Sequence, residues 1–538
     1  MTLTFPEIIG KSLKQYAANN AASFVGGEAF SYQEVDNNIK ALTELLSAEG
    51  IEKGDKVAIL CANNPQWGIA YFAITFMGAI VVPLLPDFTV SEVENIMNHS
   101  EAKAIFISEN QINKVEKLQN DFVTSIIKID DFSFIKENKK KNLSGFSIPD
   151  IDEQDIAAII YTSGTTGKSK GVMLTHKNIL SNAISGRNLQ PIEEDDRFLS
   201  ILPLSHTLEN TLGLILPYMC GASIHYLQKP PTAAVLLPAM KLVRPTIMLT
   251  VPMIIEKVYR NKVKPEFDKS GVIRTLYKVP FVRKKLHQVA GKKLMQTFGG
   301  ALKFYGVGGA KLDGTVERFL NEAKFPYAIG YGLTETSPLL AGATPGKTSV
   351  GSTGPAIQSV EVRIENANPK TGEGEIVARG PNIMKGYYKD PEATANVLSE
   401  DGWFRTGDLG YIDNSNYLHI RGRIKNVIVK STGENIYPEE IESVINNFKH
   451  VVESLVLEKK GKLVAMVHFN KTELEDKYLH LKEEVSDYVD HVIEELAKEL
   501  QTWANERLNK FSQVQVVLYQ PIPFEKTATQ KIKRFLYY

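Results

Sequence analysis

Between residues 57 and 86 the chain carries no charged side chain, and apolar positions follow one another almost without a break. Such a run is long enough to cross a bilayer. However, Asn63-Asn64-Pro65 interrupts it, and Pro83 and Pro86 close it. The pattern predicts a strand over 57–61, a turn, a buried helix over 66–77 and a second strand over 79–85. That is a β-α-β unit covered on both faces rather than a membrane span. Similar apolar segments follow: AKAIFIS (102–108), AAIIYT (157–162), ASIHYL (222–227) and PTIMLTV (245–251), separated by helical patterns. The alternation predicts a large α/β domain with mostly parallel sheets.

After about residue 346 the texture shifts to short strands and Gly/Pro turns, as in SVEVRI (359–364) and GEIVARG (374–380). The charged segment HIRGRIKN (419–426) reads as a linker to a further block with its own helices and strands. Residues 471–510, rich in Glu and Lys with apolar residues at helical spacing, read as a surface helix or helix pair.

Composition narrows the classes. At 538 residues the chain exceeds one compact core. Lys+Arg and Asp+Glu are equal at 62 each, so net charge gives no support to a nucleic-acid partner. The two cysteines, Cys61 and Cys220, sit in apolar stretches and suit neither a disulfide framework nor a zinc site. With no charged n-region and apolar h-region at the start, the expected setting is reducing and cytoplasmic.

The stretch YTSGTTGKSKGV (161–172) holds Gly-Lys-Ser and resembles a Walker A loop at first sight. A Walker A loop needs Gly, four spacers, then Gly-Lys-Ser/Thr opening a helix. Here only Thr165 and Thr166 separate Gly164 from Gly167, and Lys170-Gly171 breaks any helix. Val172-Met173-Leu174 predicts a short strand, after which Thr175 caps a helix. The loop suits phosphate, held in another way.

Other clusters lie far apart. YGLTET (331–336) combines an aromatic face, the close-approach Gly332, hydroxyls and one carboxylate, a set able to stack a base, contact phosphate and coordinate Mg²⁺. Its structural reading is a helix N-terminus capped by Thr334. FRTGDLG (404–410) offers Asp408 to ribose hydroxyls, or is simply a strand-end turn. GRIK (422–425) adds Arg423, and FEKTATQKIKR (524–534) places Lys531 in a basic terminal segment that is otherwise a solvated tail. Each is weak alone; their order in one chain is informative.

That order resembles the adenylate-forming superfamily of acyl-CoA synthetases, luciferases and peptide-synthetase adenylation domains. The match covers nearly the whole chain, through YTSGTTGKSKGV, LPLSHTLEN (202–210), GVGGAKL (306–312), YGLTET, DGWFRTGDLG (401–410), GRIKNVIVKSTGENIYPEEIE (422–442) and KTATQKIKR (526–534). LSHTLEN and the form of the 422–442 segment are most similar to long-chain fatty acid–CoA ligases. The resemblance implies an α/β fold: a large N-terminal adenylation domain (1–422) with mostly parallel sheets and a small β-barrel-like subdomain, and a small mobile α+β C-terminal lid (423–538).

It also implies a reaction. A fatty acid carboxylate attacks the α-phosphate of Mg²⁺-bound ATP, giving acyl-AMP and pyrophosphate, and the CoA thiol then displaces AMP. An acyl carrier protein is the alternative acceptor, and another carboxylic acid the alternative substrate. By resemblance, Thr162, Ser163, Gly164, Thr165, Thr166, Gly167, Lys168 and Lys170 hold the β- and γ-phosphates. Gly308, Gly309 and Ala310 with Tyr331 and Gly332 form the adenine pocket. Thr334 contacts the α-phosphate and Glu335 the Mg²⁺, while Asp408 and Arg423 hold the ribose. Lys531 bridges the carboxylate and the α-phosphate, and His206 lies beside the acyl carboxylate or, more plainly, is a partly buried histidine. Lys425 is the hinge whose rotation withdraws Lys531 and brings the 431–434 loop, with Gly433, towards the pantetheine. Departures from the family pattern are Gln530 for a frequent Gly, Ser169 and Lys311 for frequent Pro, and Asn426 for a frequent acid.

Finally, residues 257–293 carry Lys257, Arg260, Lys262, Lys264, Lys269, Arg274, Lys278, Arg283, Lys284, Lys285, Lys292 and Lys293 against few acids. Beside a fatty-acid entrance such a face suits weak peripheral contact with an anionic inner membrane surface. A solvated basic face is the simpler reading.

Overall fold

The uncharged run folds as its pattern predicts. Strands Lys56–Leu60 and Ile80–Leu84 lie parallel, with Val57 opposite Val81, and helix Pro65–Phe76 crosses between them. The Asn64 side chain accepts from the Trp67 N–H at the helix start, and Pro65 occupies a first-turn position whose missing N–H costs nothing. Every residue of this helix except Gln66 is buried. That is possible because the helix touches strands of two different sheets, which explains its lack of an amphipathic face.

The computed structural model describes the chain except for residues 1, 117, 119, 139–146, 164–168, 431–434, 472–473, 476–484 and 528–530, and gives only the backbone of residues 163 and 485–491. Two eight-stranded sheets dominate. The first runs Leu339–Gly342, Tyr327–Gly332, Phe304–Val307, Ile247–Thr250, Arg197–Ser200, Ser223–Tyr226, Asn20–Phe24, Ala29–Ser31. The second runs Gly386–Tyr387, Ser169–Thr175, Ile156–Ser163, Ile80–Leu84, Lys56–Leu60, Ala104–Ile107, Ser125–Lys128, Phe134–Lys136. Both are parallel through the middle and antiparallel at their edges. A π-helical turn, Glu209–Ile215, is buried at all seven positions and belongs to the largest apolar cluster, which draws on both sheets.

Strands Glu361–Glu365, Gly374–Arg379, Phe404–Ile412 and Leu418–Arg423 form a four-stranded antiparallel sheet. Arg423 is still in that ladder, opposite Asp408, so most of HIRGRIKN is strand. The connection shrinks to the single turn Ile424–Asn426. Beyond it, helices Pro438–Ile445 and Val485–Asn505 cover the sheet Val451–Lys459, Lys462–Phe469, Val516–Tyr519. This block has its own core, including Ile441, Ile445, Phe448, Val456 and Leu500. The second helix is thus not a pure surface element: Ile493, Leu496, Leu500 and Ala504 face that core. Cys61 and Cys220 are buried free thiols, pushed up to about 12 and about 11 by desolvation. Among the described residues no helix is long and apolar enough to cross a membrane.

Strand Ser169–Thr175 runs directly into helix His176–Leu189 through a reciprocal cap. The Thr175 hydroxyl accepts from the Asn178 N–H at 3.1 Å, and the Asn178 side chain accepts from the Thr175 N–H at 2.9 Å. Thr175→Ala should therefore lower stability by about 1 kcal/mol, seen as a lower midpoint in urea unfolding, while Thr175→Ser should not. Equal midpoints for wild type and Thr175→Ala would show that the cap contributes nothing.

Candidate active site

Strands Ile156–Ser163 and Ser169–Thr175 pair antiparallel, with Thr162 opposite Lys170 and Ser163 opposite Ser169. Residues 161–163 and 169–172 are therefore paired strand arms on either side of residues 164–168, and the helix begins only at His176. A strand-to-helix Walker A geometry is excluded, as the spacing predicts. Gly164, Thr165, Thr166, Gly167 and Lys168 lie outside the described residues, as does Gly433. Half-buried Lys170 places its ammonium 4.6 Å from the centre of the Tyr387 ring. The Tyr387 hydroxyl in turn donates to Glu335 Oε1 at 2.9 Å.

Three parallel strands, Ile247–Thr250, Phe304–Val307 and Tyr327–Gly332, end together. Their carboxyl ends form one lip, the usual place for a ligand in an open α/β sheet. Gly308 binds back through its N–H to Thr250 O at 3.0 Å, and Gly309 has φ +83°, leaving it and Ala310 exposed at the lip. At Gly332 a Cβ would lie 1.7 Å from Pro338 O, so only glycine fits. Thr334–Thr336 is a single 3-10 turn preceded by Leu333. The structural reading of Thr334 as the cap of a helix is thus not realised: the chain turns at Ser337 before a helix can propagate. This leaves Thr334 and Glu335 half-buried at the lip.

Asp408 joins this lip from the four-stranded sheet. Arg423 Nε contacts its Oδ1 at 2.7 Å, and the Tyr331 hydroxyl donates to Oδ2 at 2.7 Å. Burial pushes the Asp408 carboxyl up, while Arg423 and Tyr331 pull it back. Lys531 arrives from the C-terminal block. It keeps surface exposure as a residue, yet its ammonium is desolvated among Arg423, Asp408 and Glu335. Desolvation and then Arg423 lower its pKa; Asp408 and Glu335 raise it. His206 is close enough to feel the same ammonium. Burial first, and Lys531 second, push the imidazole down to about 4, so it is neutral at physiological pH. Glu335, Tyr331, Asp408, Arg423, His206 and Lys531 are thereby brought together, whereas Lys425 stands exposed on the turn Ile424–Asn426.

The turn bearing Lys531 is anchored at its base. Lys526 and Ile532 form a β-bridge, Thr527 N–H donates to Lys531 O at 2.8 Å, Lys526 pairs with Glu453, and Arg534 pairs with the half-buried Glu442. The block itself is held against the larger unit by Lys311–Glu440 at 2.9 Å, Asn447 Nδ2 to Asp313 Oδ2 at 2.7 Å and Arg260 Nη2 to Asn446 O at 2.6 Å. Two departures from the family pattern thus find partners on helix Pro438–Ile445: Lys311 on Glu440, and Asn426 on Glu439.

Sequence reasoning missed the support beneath His206. Glu209 is buried, and Ser200 Oγ donates to its Oε1 at 2.6 Å. Asn63 Nδ2 donates to Ser200 Oγ at 3.0 Å and to Leu202 O at 2.6 Å, while its Oδ1 accepts from Leu204 N at 2.9 Å. This network fixes both ends of the 202–209 loop. Gly213 belongs to it, since a Cβ there would lie 2.7 Å from Glu209 Cδ. Desolvation pushes Glu209 up to about 8, so it is mostly protonated at neutral pH. One signal was legible: a lone acid inside the apolar run after Leu208.

The AMP-binding enzyme family model matches residues 11–388. The chain belongs to the AMP-binding enzyme family. Within it, the chain is 31% identical to 4-coumarate–CoA ligase 2 of Nicotiana tabacum over 461 residues, 80% of this chain and 78% of that one. It is 28% identical to long chain acyl-CoA synthetase 7, peroxisomal, of Arabidopsis thaliana, covering 94% and 82%. Its fold is similar to that of o-succinylbenzoate coenzyme A synthetase from Bacillus subtilis, in complex with ATP and magnesium ion. That likeness has a TM-score of 0.76 at 23% identity and covers 98% of both chains.

In this AMP-binding enzyme, Glu209 links stability to pH. Its ordinary value is 4.5 and its folded value about 8, so the folded state binds the proton more tightly. The stability it contributes is complete below about pH 4.5 and is lost as pH rises through about 8. Glu209→Gln, which cannot titrate, should show a shallower fall in unfolding midpoint than wild type across that window. Identical slopes in thermal melts would contradict the assignment.

Proposed function

We propose that the chain is an ATP-dependent long-chain fatty acid–CoA ligase that works through acyl-AMP. One observation carries the reading: the Lys531 ammonium, from the C-terminal block, converges with Glu335, Asp408, Arg423 and a neutral His206 from the larger unit. Attack of a carboxylate on a phosphate brings two anions together, and the barrier falls only if cations sit where charge gathers. Lys531 is such a cation, compact and carried on a flexible stem.

The remaining residues take complementary parts. Asp408, oriented by Arg423 and Tyr331, accepts hydrogen bonds from the ribose hydroxyls; each of its oxygens retains a lone pair for this. The Tyr331 ring and the 308–310 loop flank the adenine, and Gly332 gives the backbone room to approach it. Thr334 donates to the α-phosphate. Thr162, Lys170 and residues 163–168 hold the β- and γ-phosphates as the Pα–O bond to pyrophosphate breaks. Glu335, pre-oriented by the Tyr387 hydroxyl, suits Mg²⁺, which takes one or two carboxylates together with phosphate oxygens. That ion, when bound, neutralises phosphate charge. Around His206, the buried Ser205 Oγ, Thr207 Oγ1 and the Asn210 amide have no hydrogen-bond partners among the described residues, a set suited to a polar reacting group. A neutral His206 donates one hydrogen bond to the acyl oxygen without adding a second charge beside Lys531.

In the second half-reaction the thiol sulfur attacks the acyl carbon, the C–O bond to AMP breaks, and the thiol proton is released. We propose that residues 423–538 rotate as a lid about Lys425 between the two steps, bringing the loop with Gly433 to the thiol. LSHTLEN and the long-chain acyl-CoA synthetases among the relatives favour a fatty acid as substrate.

The test is ATP–pyrophosphate exchange with long-chain fatty acids and with cinnamate-type acids, followed by thioester formation with CoA or a carrier protein. Exchange independent of any acid would sink the ligase reading, and exchange only with aromatic acids would replace the fatty acid. Lys531→Ala should lower exchange at least about 100-fold and leave thioester formation from supplied acyl-AMP largely intact; equal loss of both steps would refute a role confined to adenylation. Lys425→Pro should do the opposite, sparing exchange and slowing thioester formation, and an unchanged thioester rate would remove the hinge.

A further inference from the structure

Residues 269–312 contain ten Lys and Arg and no Asp or Glu. Within them, helices Gly271–Tyr277 and Pro280–Thr297 meet at a two-residue corner, Lys278-Val279. The corner is rigidly based. Arg283 Nη2 pairs with Glu322 at 2.7 Å, Tyr277 OH meets His287 Nε2 at 2.8 Å, and Gly291 packs so closely that a Cβ would lie 2.8 Å from Ala323 Cβ.

What points outwards is neither plain nor purely basic. Phe281 is 72% exposed, Val272 68%, Val289 58%, Val279 48% and Leu276 44%. Val272 and Leu276 share one face of the first helix; Phe281, Lys285, Val289 and Lys292, spaced by four, four and three, share one face of the second. Among the described residues Arg274, Lys278, Lys284, Lys285 and Lys292 form no ion pair. A solvated basic face would have no use for an exposed phenylalanine with a lysine ammonium, that of Lys285, 5.9 Å from its ring centre. Nor is the apolar set required by the fold: helix Gly271–Tyr277 has no buried residue, and the second helix is already seated through its buried His287, Gly291 and Leu294.

We propose that this corner docks on an anionic lipid surface. The apolar residues enter the boundary between headgroups and acyl chains, and the unpaired cations meet the lipid phosphates, a combination that neither water nor an uncharged surface rewards. The proposal is independent of which acid the enzyme activates.

The full chain would be sedimented with vesicles of zwitterionic lipid alone and with about one-third anionic lipid. Expected are binding to the anionic vesicles only, and release by about 0.5 M NaCl. Combined Lys284→Glu, Lys285→Glu and Lys292→Glu should weaken the partition coefficient at least about tenfold. Phe281→Asp should also weaken it about tenfold, whereas Phe281→Trp should preserve it. Unfolding midpoints equal to wild type would establish that these exposed variants fold. Equal binding to both vesicle types, an unchanged partition for the charge-reversal variant, or no vesicle binding at all would overturn the proposal. Retention of an RNA or DNA duplex by the same surface, without vesicle binding, would overturn it in favour of a nucleic-acid partner.

Discussion

An ammonium taken out of water must be compensated, and the electrostatic coupling of Lys531 to Asp408 and Glu335 is the constraint on which the site depends. Burial disfavours the charged lysine, and the nearby Arg423 disfavours it further; the two carboxylates offset this only in part, so its pKa stays below the ordinary lysine value. Those carboxylates come from the larger unit, one on the turn Thr334–Thr336 and one on strand Phe404–Ile412, and Lys531 comes from the C-terminal segment beside the Lys526–Ile532 bridge. The relative position of the two units is therefore written into an electrostatic balance. Lys311–Glu440, Asn447–Asp313 and the Arg260 contacts hold the units in the arrangement that satisfies it.

The larger unit is built to present fixed groups to that cation. Two mostly parallel sheets bring strand ends together at one lip, and a fully buried π-helical turn lies among their side chains. Under the lip, Asn63, Ser200 and Glu209 tie the loop that carries His206 to the strands below. A protonated Glu209 does this without adding net charge, which explains how a carboxyl group is tolerated at that depth. His206 is kept neutral by the same burial. In the reading proposed above, one element of the site is thus free to exchange positive charge while its surroundings stay fixed. The helical corner at 271–297 faces outward from this arrangement, rooted in an aromatic cluster around Phe267, His287 and Phe319.

Much of the fold was legible along the chain. The uncharged run gave the β-α-β unit because a strand buried on both faces admits no charge, and Asn63-Asn64-Pro65 marked the turn before the helix that Asn64 caps. Thr175 signalled its helix in the same local way, and the short spacing between Gly164 and Gly167 was enough to exclude a Walker A loop. Less was legible at the linker, where HIRGRIKN has the composition of a connection but is mostly strand, because pairing of Arg423 opposite Asp408 overrides local charge. Thr334 also misled as a helix cap, since the chain turns away at Ser337.

By itself, then, the amino-acid sequence determined the elements, the absence of a Walker A spacing at 161–172 and the types of residue available to the chemistry. Each of these follows from local pattern: charge exclusion, capping and turn spacing. Tertiary structure alone decided which of those residues meet. Asn63, Ser200 and Glu209 form one network only because the two sheets pack around the turn Glu209–Ile215. Asp408 reaches Tyr331 only because strands distant in the chain end at one lip, and Lys531 is coupled to Asp408 and His206 only because the C-terminal block packs beside that lip. Electrostatic coupling and desolvation depend on distance and burial, neither of which is a property of neighbouring positions in a chain.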